Sequence, residues 1–157
     1  MRLDYASVLP TARTAMLGLE KVVHDSGLDP RLLELVKIRA SQINGCARCL
    51  EMHTKDARAL GEEQDRLDLV AAWPEAGCFS ERERAALAWC EALTLIARTG
   101  APDEVYDAVA RHFEPMEIAA LTVAITTINA WNRLNVGLRV PAGGYISTRR
   151  EGRSEIG

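Results

Sequence analysis

The stretch that most constrains this chain begins at Pro115 and runs to about Asn135. Its apolar residues recur at helical spacing on two sides of a cylinder: Met116, Val123, Ala130 and Leu134 on one, Ile118, Leu121, Ile125 and Ile128 on the other. A helix that is apolar almost all round must be covered on every face. Glu117, Thr122, Thr126, Thr127 and Asn129 interrupt it, and from Met116 to Trp131 it is shorter than the ~20 apolar residues of a membrane span. It is therefore expected to be a core helix, with no membrane partner. A second stretch, from Ser80 to Arg98, presents Ala86, Leu87, Leu93, Leu95 and Ile96 over more than one face. In a chain of 157 residues, about one domain's worth, surface to cover both helices is scarce, which predicts a homo-oligomer.

Elsewhere apolar residues also recur at spacings of three and four, and no strand-like run stands out, so a single all-α domain of about seven helices over residues 1–157 is expected. Punctuation places the ends. A first helix covers Thr11 to His24, stopped at Ser26-Gly27; a second starts at Asp29-Pro30 and is interrupted at Gly45, with Leu32, Leu35, Val36, Ala40 and Ile43 on one face. A third starts at Cys46 and closes at Gly61, and a shorter one runs to about Ala72. Ser80 and Glu83 form a capping box for the helix reaching Arg98, and Pro102-Asp103 opens another to about His112. The segment 137–157 is rich in Gly and Arg with no helical period, and reads as a tail or an arm laid on a partner subunit.

Nineteen basic against 22 acidic residues give a net charge of -3, so no global positive field exists to hold nucleic acid. The N-terminus has no long apolar core behind a basic start, which predicts a cytoplasmic protein. Its four cysteines are too few and too unevenly spaced for a secreted disulfide framework, and in a reducing compartment a close pair points to redox or metal chemistry.

That pair is Cys46 and Cys49. With His53 they are spaced i, i+3 and i+7, which puts all three within about 60° on one helix face, together with Leu50, Ala57 and Leu60. A shallow, partly dry pocket is expected there. Two buried thiols beside a core histidine would explain the stripe without chemistry. A redox role explains more: the helix N-terminus and a neighbouring imidazole both raise the thiolate fraction, against burial, and a second thiol one turn away can close a disulfide on an oxidised first. The dipole favours Cys46 as the more acidic thiol. Zinc could also take two thiolates and an imidazole, but neither Cys78 nor Cys90 has a nearby companion to complete a structural site. A thioredoxin fold does not suit a pair with helical period on both sides.

Glu34-x4-Arg39-x-Ser41 followed by Asn44-Gly45-Cys46-Ala47-Arg48-Cys49-x3-His53 resembles the alkylhydroperoxidase D family, within the carboxymuconolactone decarboxylase superfamily. Weaker similarity continues through residues 80–94 and 128–136, so the family-like core covers about residues 30–136. The resemblance implies an all-helical, cofactor-free fold without a metal, assembled as a homo-oligomer, often a trimer or hexamer. It implies a peroxidase acting on organic hydroperoxides, with Cys49 as the attacking thiol, Cys46 as resolver, and His53 and Glu34 as proton relay. A dithiol reductant, such as a lipoyl domain or thioredoxin-like protein, would restore the pair. A thiol-disulfide oxidoreductase or redox sensor of the same fold is the alternative, ahead of a zinc scaffold or a lactone decarboxylase. The position before the second cysteine, often His in the peroxidases, is Arg48 here.

From its own phase, Glu34 projects opposite the apolar face of its helix and would pair with Arg31 or Lys37 on the surface. Arg39 falls in the middle of that apolar face and needs an acidic or carbonyl partner, a structural pair being preferred over substrate anchoring. Asn129, Asn132 and Asn135 recur every three residues on the last helix and are assigned to packing register or capping, not chemistry. His24, His112, Cys78 and Cys90 are expected to be structural.

Overall fold

The computed structural model describes residues 1–149, and among these it contains nine α-helical segments and no strand. They are α1 (Tyr5–Val8), α2 (Pro10–His24), α3 (Pro30–Asn44), α4 (Ala47–Ala59), α5 (Gln64–Leu69), α6 (Glu81–Thr94), α7 (Ile96–Thr99), α8 (Asp103–Ala110) and α9 (Pro115–Gly137), with a 3-10 turn at Val70–Ala72 after α5. The caps are those the sequence announces. Asp29 accepts from the Arg31 amide ahead of Pro30, and Ser80 and Glu83 complete their box. Gly45 (φ 65°) and Gly61 (φ 87°) take the left-handed conformation that ends α3 and the turn after α4, where a side chain would be strained.

Two boundaries differ from expectation. The tetrapeptide helix α1 precedes α2, capped by the Asp4 carboxylate, and is too short to leave a periodic signal. The helix expected to run from Ser80 to Arg98 stops at Thr94, because the Thr99 hydroxyl reaches back to the Ala92 carbonyl (2.7 Å) and rewards a tighter turn into α7.

The helix enclosed on every side is α3. It packs against α4, α6 and α9, and residues 32–38 are all buried. Leu32, Leu33, Val36 and Ala40 join one core with Cys46, Cys49, Trp89 and the inner residues of α9, while Leu35 and Ile38 join a second with Ala57, Leu67, Val70, Phe79 and Leu87. By contrast α9 is covered fully on one side and only in part on the other. Ile118, Leu121, Ile125 and Ile128 are buried, whereas Met116 and Val136 are exposed and Val123, Ala130 and Leu134 are half-buried. Further exposed apolar side chains cluster on the first two helices and their approach, at Leu3, Val8, Leu9, Leu17, Leu19 and Val22.

Beyond α9 the backbone doubles back over α4. The Gly143 and Tyr145 amides donate to the Glu51 carboxylate (2.6 and 3.1 Å), and Lys55 Nζ donates to the Tyr145 carbonyl (2.8 Å). The tail through residue 149 thus lies on its own chain; residues 150–157 fall outside the described residues. At the other end the Arg2 amide donates to the Leu138 carbonyl (2.7 Å), so the first residues lie beside the end of α9. No described helix is long and apolar enough to cross a membrane.

Candidate redox site

Gly45 lets the chain leave α3 and turn at once into α4, so the two helices form a hairpin and lie against each other. Cys46 occupies the cap position with extended backbone, its amide bonded to the Ser41 carbonyl (3.0 Å) and its sulfur accepting from the Cys49 amide (3.3 Å). Cys46 and Cys49 are joined by a disulfide, with Cα atoms 5.4 Å apart. Both are buried, Cys49 completely. In this oxidised form the sulfurs offer no thiolates to a zinc ion.

His53 follows Cys49 by one turn and is also buried; its Nδ1 lies 2.7 Å from Glu34 Oε2. This is the contact the hairpin makes and the helix phase of Glu34 alone does not reveal. Glu34 is 3% exposed and not a surface residue, because the face of α3 opposite Leu32 and Val36 is itself covered by α4 and by Lys37, which bridges Glu34 (3.9 Å) and Glu20 (2.9 Å). Burial raises the Glu34 carboxyl, but the charge and hydrogen bond of His53, with Lys37 and Arg149 behind them, outweigh it and hold the group below its ordinary range.

Three further side chains belong to the site: Asp56, Tyr145 and Asn135. Asp56, one turn beyond His53 and buried, accepts from the Tyr145 hydroxyl (2.9 and 3.1 Å) and the Ser147 hydroxyl (2.5 Å). Burial, then the hydrogen bond and charge of Asp56, push the Tyr145 phenol up to about 12. Asn135, in the last turn of α9, donates its amide to Cys49 Sγ (3.3 Å). Of these, Asp56 was legible in principle, standing seven residues after Cys49 on the same helix face. The ligand atoms of Glu34, His53 and Asp56 lie within 4.8 Å of one another, a set able to hold a divalent cation, although each is already hydrogen-bonded to its neighbours.

A cleft of about 1520 Å³ opens on this cluster, walled by Glu34, His53, Asp56, Asn135, Tyr145 and the face of α2. It is far larger than the shallow pocket expected. Arg48 stands at its edge, 3.6 Å from Glu51 and with its guanidinium 5.6 Å from the Tyr145 ring centroid, and so braces the tail.

The remaining polar residues do structural work. Arg39 pairs with Glu91 (2.7 Å), which also accepts from the Trp73 indole (2.7 Å). Asn44 donates to both Asn129 and Asn132 (2.9 Å each), and Asn132 donates to Ser41 (3.1 Å), which fixes the register of α9 on α3. Cys90 is buried, its thiol pushed up to about 12 by desolvation, and Cys78 is an exposed loop thiol.

Residues 10–92 match the Carboxymuconolactone decarboxylase family. The chain is 39% identical over 137 residues to the uncharacterized protein YdfG of Bacillus subtilis, covering 87% of this chain and 93% of that protein. Among solved structures it is similar to ATU0492 of Agrobacterium tumefaciens, a protein of unknown function suggested to be the antioxidant defence protein AhpD. That similarity has a TM-score of 0.88 and 44% identity, covering 92% of this chain and 99% of that one. The debrominase Bmp8, in complex with 2,3,4-tribromopyrrole, shares the fold at a TM-score of 0.78 with 19% identity, over 88% of this chain and 74% of that one.

Proposed function

The chain belongs to the Carboxymuconolactone decarboxylase family, and on that premise we propose that it is a cysteine-dependent peroxidase that reduces organic hydroperoxides. The observation that carries this reading is the buried Cys46–Cys49 pair on the same helix as His53, whose Nδ1 is tied to the buried carboxylate of Glu34 at 2.7 Å. In the reduced protein Cys49 gives its proton to Nε2 of His53, and the Glu34 carboxylate stabilises the imidazolium that results. The Cys49 thiolate attacks the terminal oxygen of the hydroperoxide; a sulfur–oxygen bond forms, the oxygen–oxygen bond breaks, and the departing alkoxide takes the proton from His53 to leave as an alcohol. The Cys46 thiol then attacks the Cys49 sulfenic acid, forming the disulfide and releasing water. An external dithiol, a lipoyl domain or thioredoxin-like protein, returns two electrons and two protons by thiol–disulfide exchange.

The cleft supports this reading because it reaches the His53 and Asn135 side of Cys49. At about 1520 Å³ it exceeds the ~300–1,000 Å³ of ordinary small-molecule pockets, which leaves room for a bulky hydroperoxide and for part of a reductant or a second subunit. The protein acts in the cytoplasm, as a homo-oligomer that covers the exposed apolar side chains of α9 and α2.

The test is stopped-flow mixing of the reduced protein with cumene hydroperoxide, with and without dihydrolipoamide. Thiol loss faster than free cysteine, abolished in Cys49→Ser and stopping at a dimedone-reactive Cys49 in Cys46→Ser, is the expected result. Thiol loss no faster than free cysteine sinks the peroxidase reading.

A further inference from the structure

The last helix carries asparagine at 129, 132 and 135, and only the first two are engaged in packing. Asn129 spends its amide on Thr94 Oγ1 and the Ile125 carbonyl (2.9 Å each), and Asn132 on Ser41. The amide of Asn135, half-buried on the wall of the cleft, goes instead to the sulfur of Cys49.

We infer that Asn135 is a catalytic residue that stabilises Cys49 as the thiolate and so selects it over Cys46 for attack. The inference rests on the peroxidase reading for its place in turnover, but its physical content concerns the two thiols alone. A carboxamide nitrogen is a donor only. Neutral sulfur is a weak acceptor and thiolate a much stronger one, so a fixed N–H favours the ionised form and lowers the thiol pKa. Without Asn135 the local geometry favours the other cysteine. Cys46 sits at the helix cap, closest to the positive end of the α4 dipole, and already receives the Cys49 amide at 3.3 Å. Asn135 adds a donor to Cys49 alone, from the side that faces the cleft, and Cys49 is also the thiol one turn from His53. The same amide remains placed to hold the sulfur as charge leaves it for the peroxide oxygens. Two sulfurs of nearly equal burial are thus made unequal by one side chain from a helix 86 residues away.

The experiment measures the thiol pKa of each cysteine in isolation. In a Cys46→Ser background, iodoacetamide alkylation of Cys49 is followed against pH by mass spectrometry, with Asn135 intact, with Asn135→Leu and with Asn135→Asp. Where burial slows alkylation, thiolate ultraviolet absorption against the Cys46→Ser, Cys49→Ser double variant gives the same titration. Asn135→Leu is expected to raise the Cys49 pKa by ~1 unit, about tenfold less thiolate at neutral pH, the size of one hydrogen bond to a charged group. Asn135→Asp, nearly the same shape but charged, should raise it further. In the Cys49→Ser background the Cys46 titration should not move with Asn135→Leu, which a general loosening of the site would not spare; the Asn135→Asp charge acts on both thiols, more strongly on Cys49. An unmoved Cys49 pKa in Asn135→Leu, or equal shifts at both cysteines in that variant, overturns the inference. A protein that shows the selective shift yet consumes no peroxide contradicts the peroxidase reading and leaves this one standing.

Discussion

Replacing Glu34 with glutamine keeps the shape of the side chain and removes its charge, at a site where the charge has little water to share it. The carboxylate is 3% exposed and 2.7 Å from His53 Nδ1. A glutamine oxygen can still accept from Nδ1–H, so the loss is the difference between a charge-assisted and a neutral hydrogen bond, about 1–2 kcal/mol. The part of that difference gained as His53 takes up the thiol proton slows peroxide reduction by at most ~5–30-fold, and His53→Ala, which removes the acceptor itself, should cost ~10²-fold or more. A second readout follows from linkage. Burial opposes ionisation of Glu34, but His53 outweighs it, so the folded pKa lies below the ordinary value of 4.5. A carboxyl depressed on folding contributes stability above its unfolded pKa and loses that contribution as pH falls through the folded one. The melting-temperature gap between wild type and Glu34→Gln should therefore be full at pH ~7 and shrink as pH drops below ~4.5. Peroxide consumption under excess dithiol and thermal melts across that range check both. A variant with the wild-type rate and a gap independent of pH would refute the relay.

Asn44→Ala removes two hydrogen bonds and strands the buried Asn132 oxygen, which should destabilise the protein by ~2–4 kcal/mol in urea unfolding; a loss under ~1 kcal/mol would mean that register is held by apolar packing alone. Glu51, held at about 2 by Lys55 and the Gly143 and Tyr145 amides, latches the tail to α4. Exchange protection of the Tyr145 amide should fall as pH drops from ~4.5 toward 2, and in Glu51→Gln it should be lower and flat; identical profiles would dissociate the latch from this carboxylate. Light scattering during size exclusion should find a multiple of 17.2 kDa, a trimer or hexamer on family grounds, and a lone helical species at 17.2 kDa would show that the exposed faces of α2 and α9 need no partner.

The sequence by itself determined what is local. A helix advances 100° per residue, so the positions of Cys46, Cys49 and His53 on one face follow from their spacing, and the caps at Asp29, Gly45 and Ser80 follow from backbone chemistry within a few residues. The need of Arg39 for an acidic partner was equally legible, since a guanidinium on an apolar stripe cannot go unpaired, though not that the partner would be Glu91. Only tertiary structure decided which face of each helix is inside. The phase of its one apolar stripe puts Glu34 on the surface, yet residues 32–38 of α3 are all buried and its second face is what meets His53. The composition of α9 suits a helix covered all round, yet Met116, Ala119, Thr126, Arg133 and Val136 along it are exposed, because composition counts apolar residues and not the neighbours available to cover them. Asn135 and Tyr145 reach α4 across 86 and 89 residues of chain. No periodicity links such positions; they meet because α9 packs against α3 and α4 and the chain then turns back, and packing over that distance is fixed by the whole core.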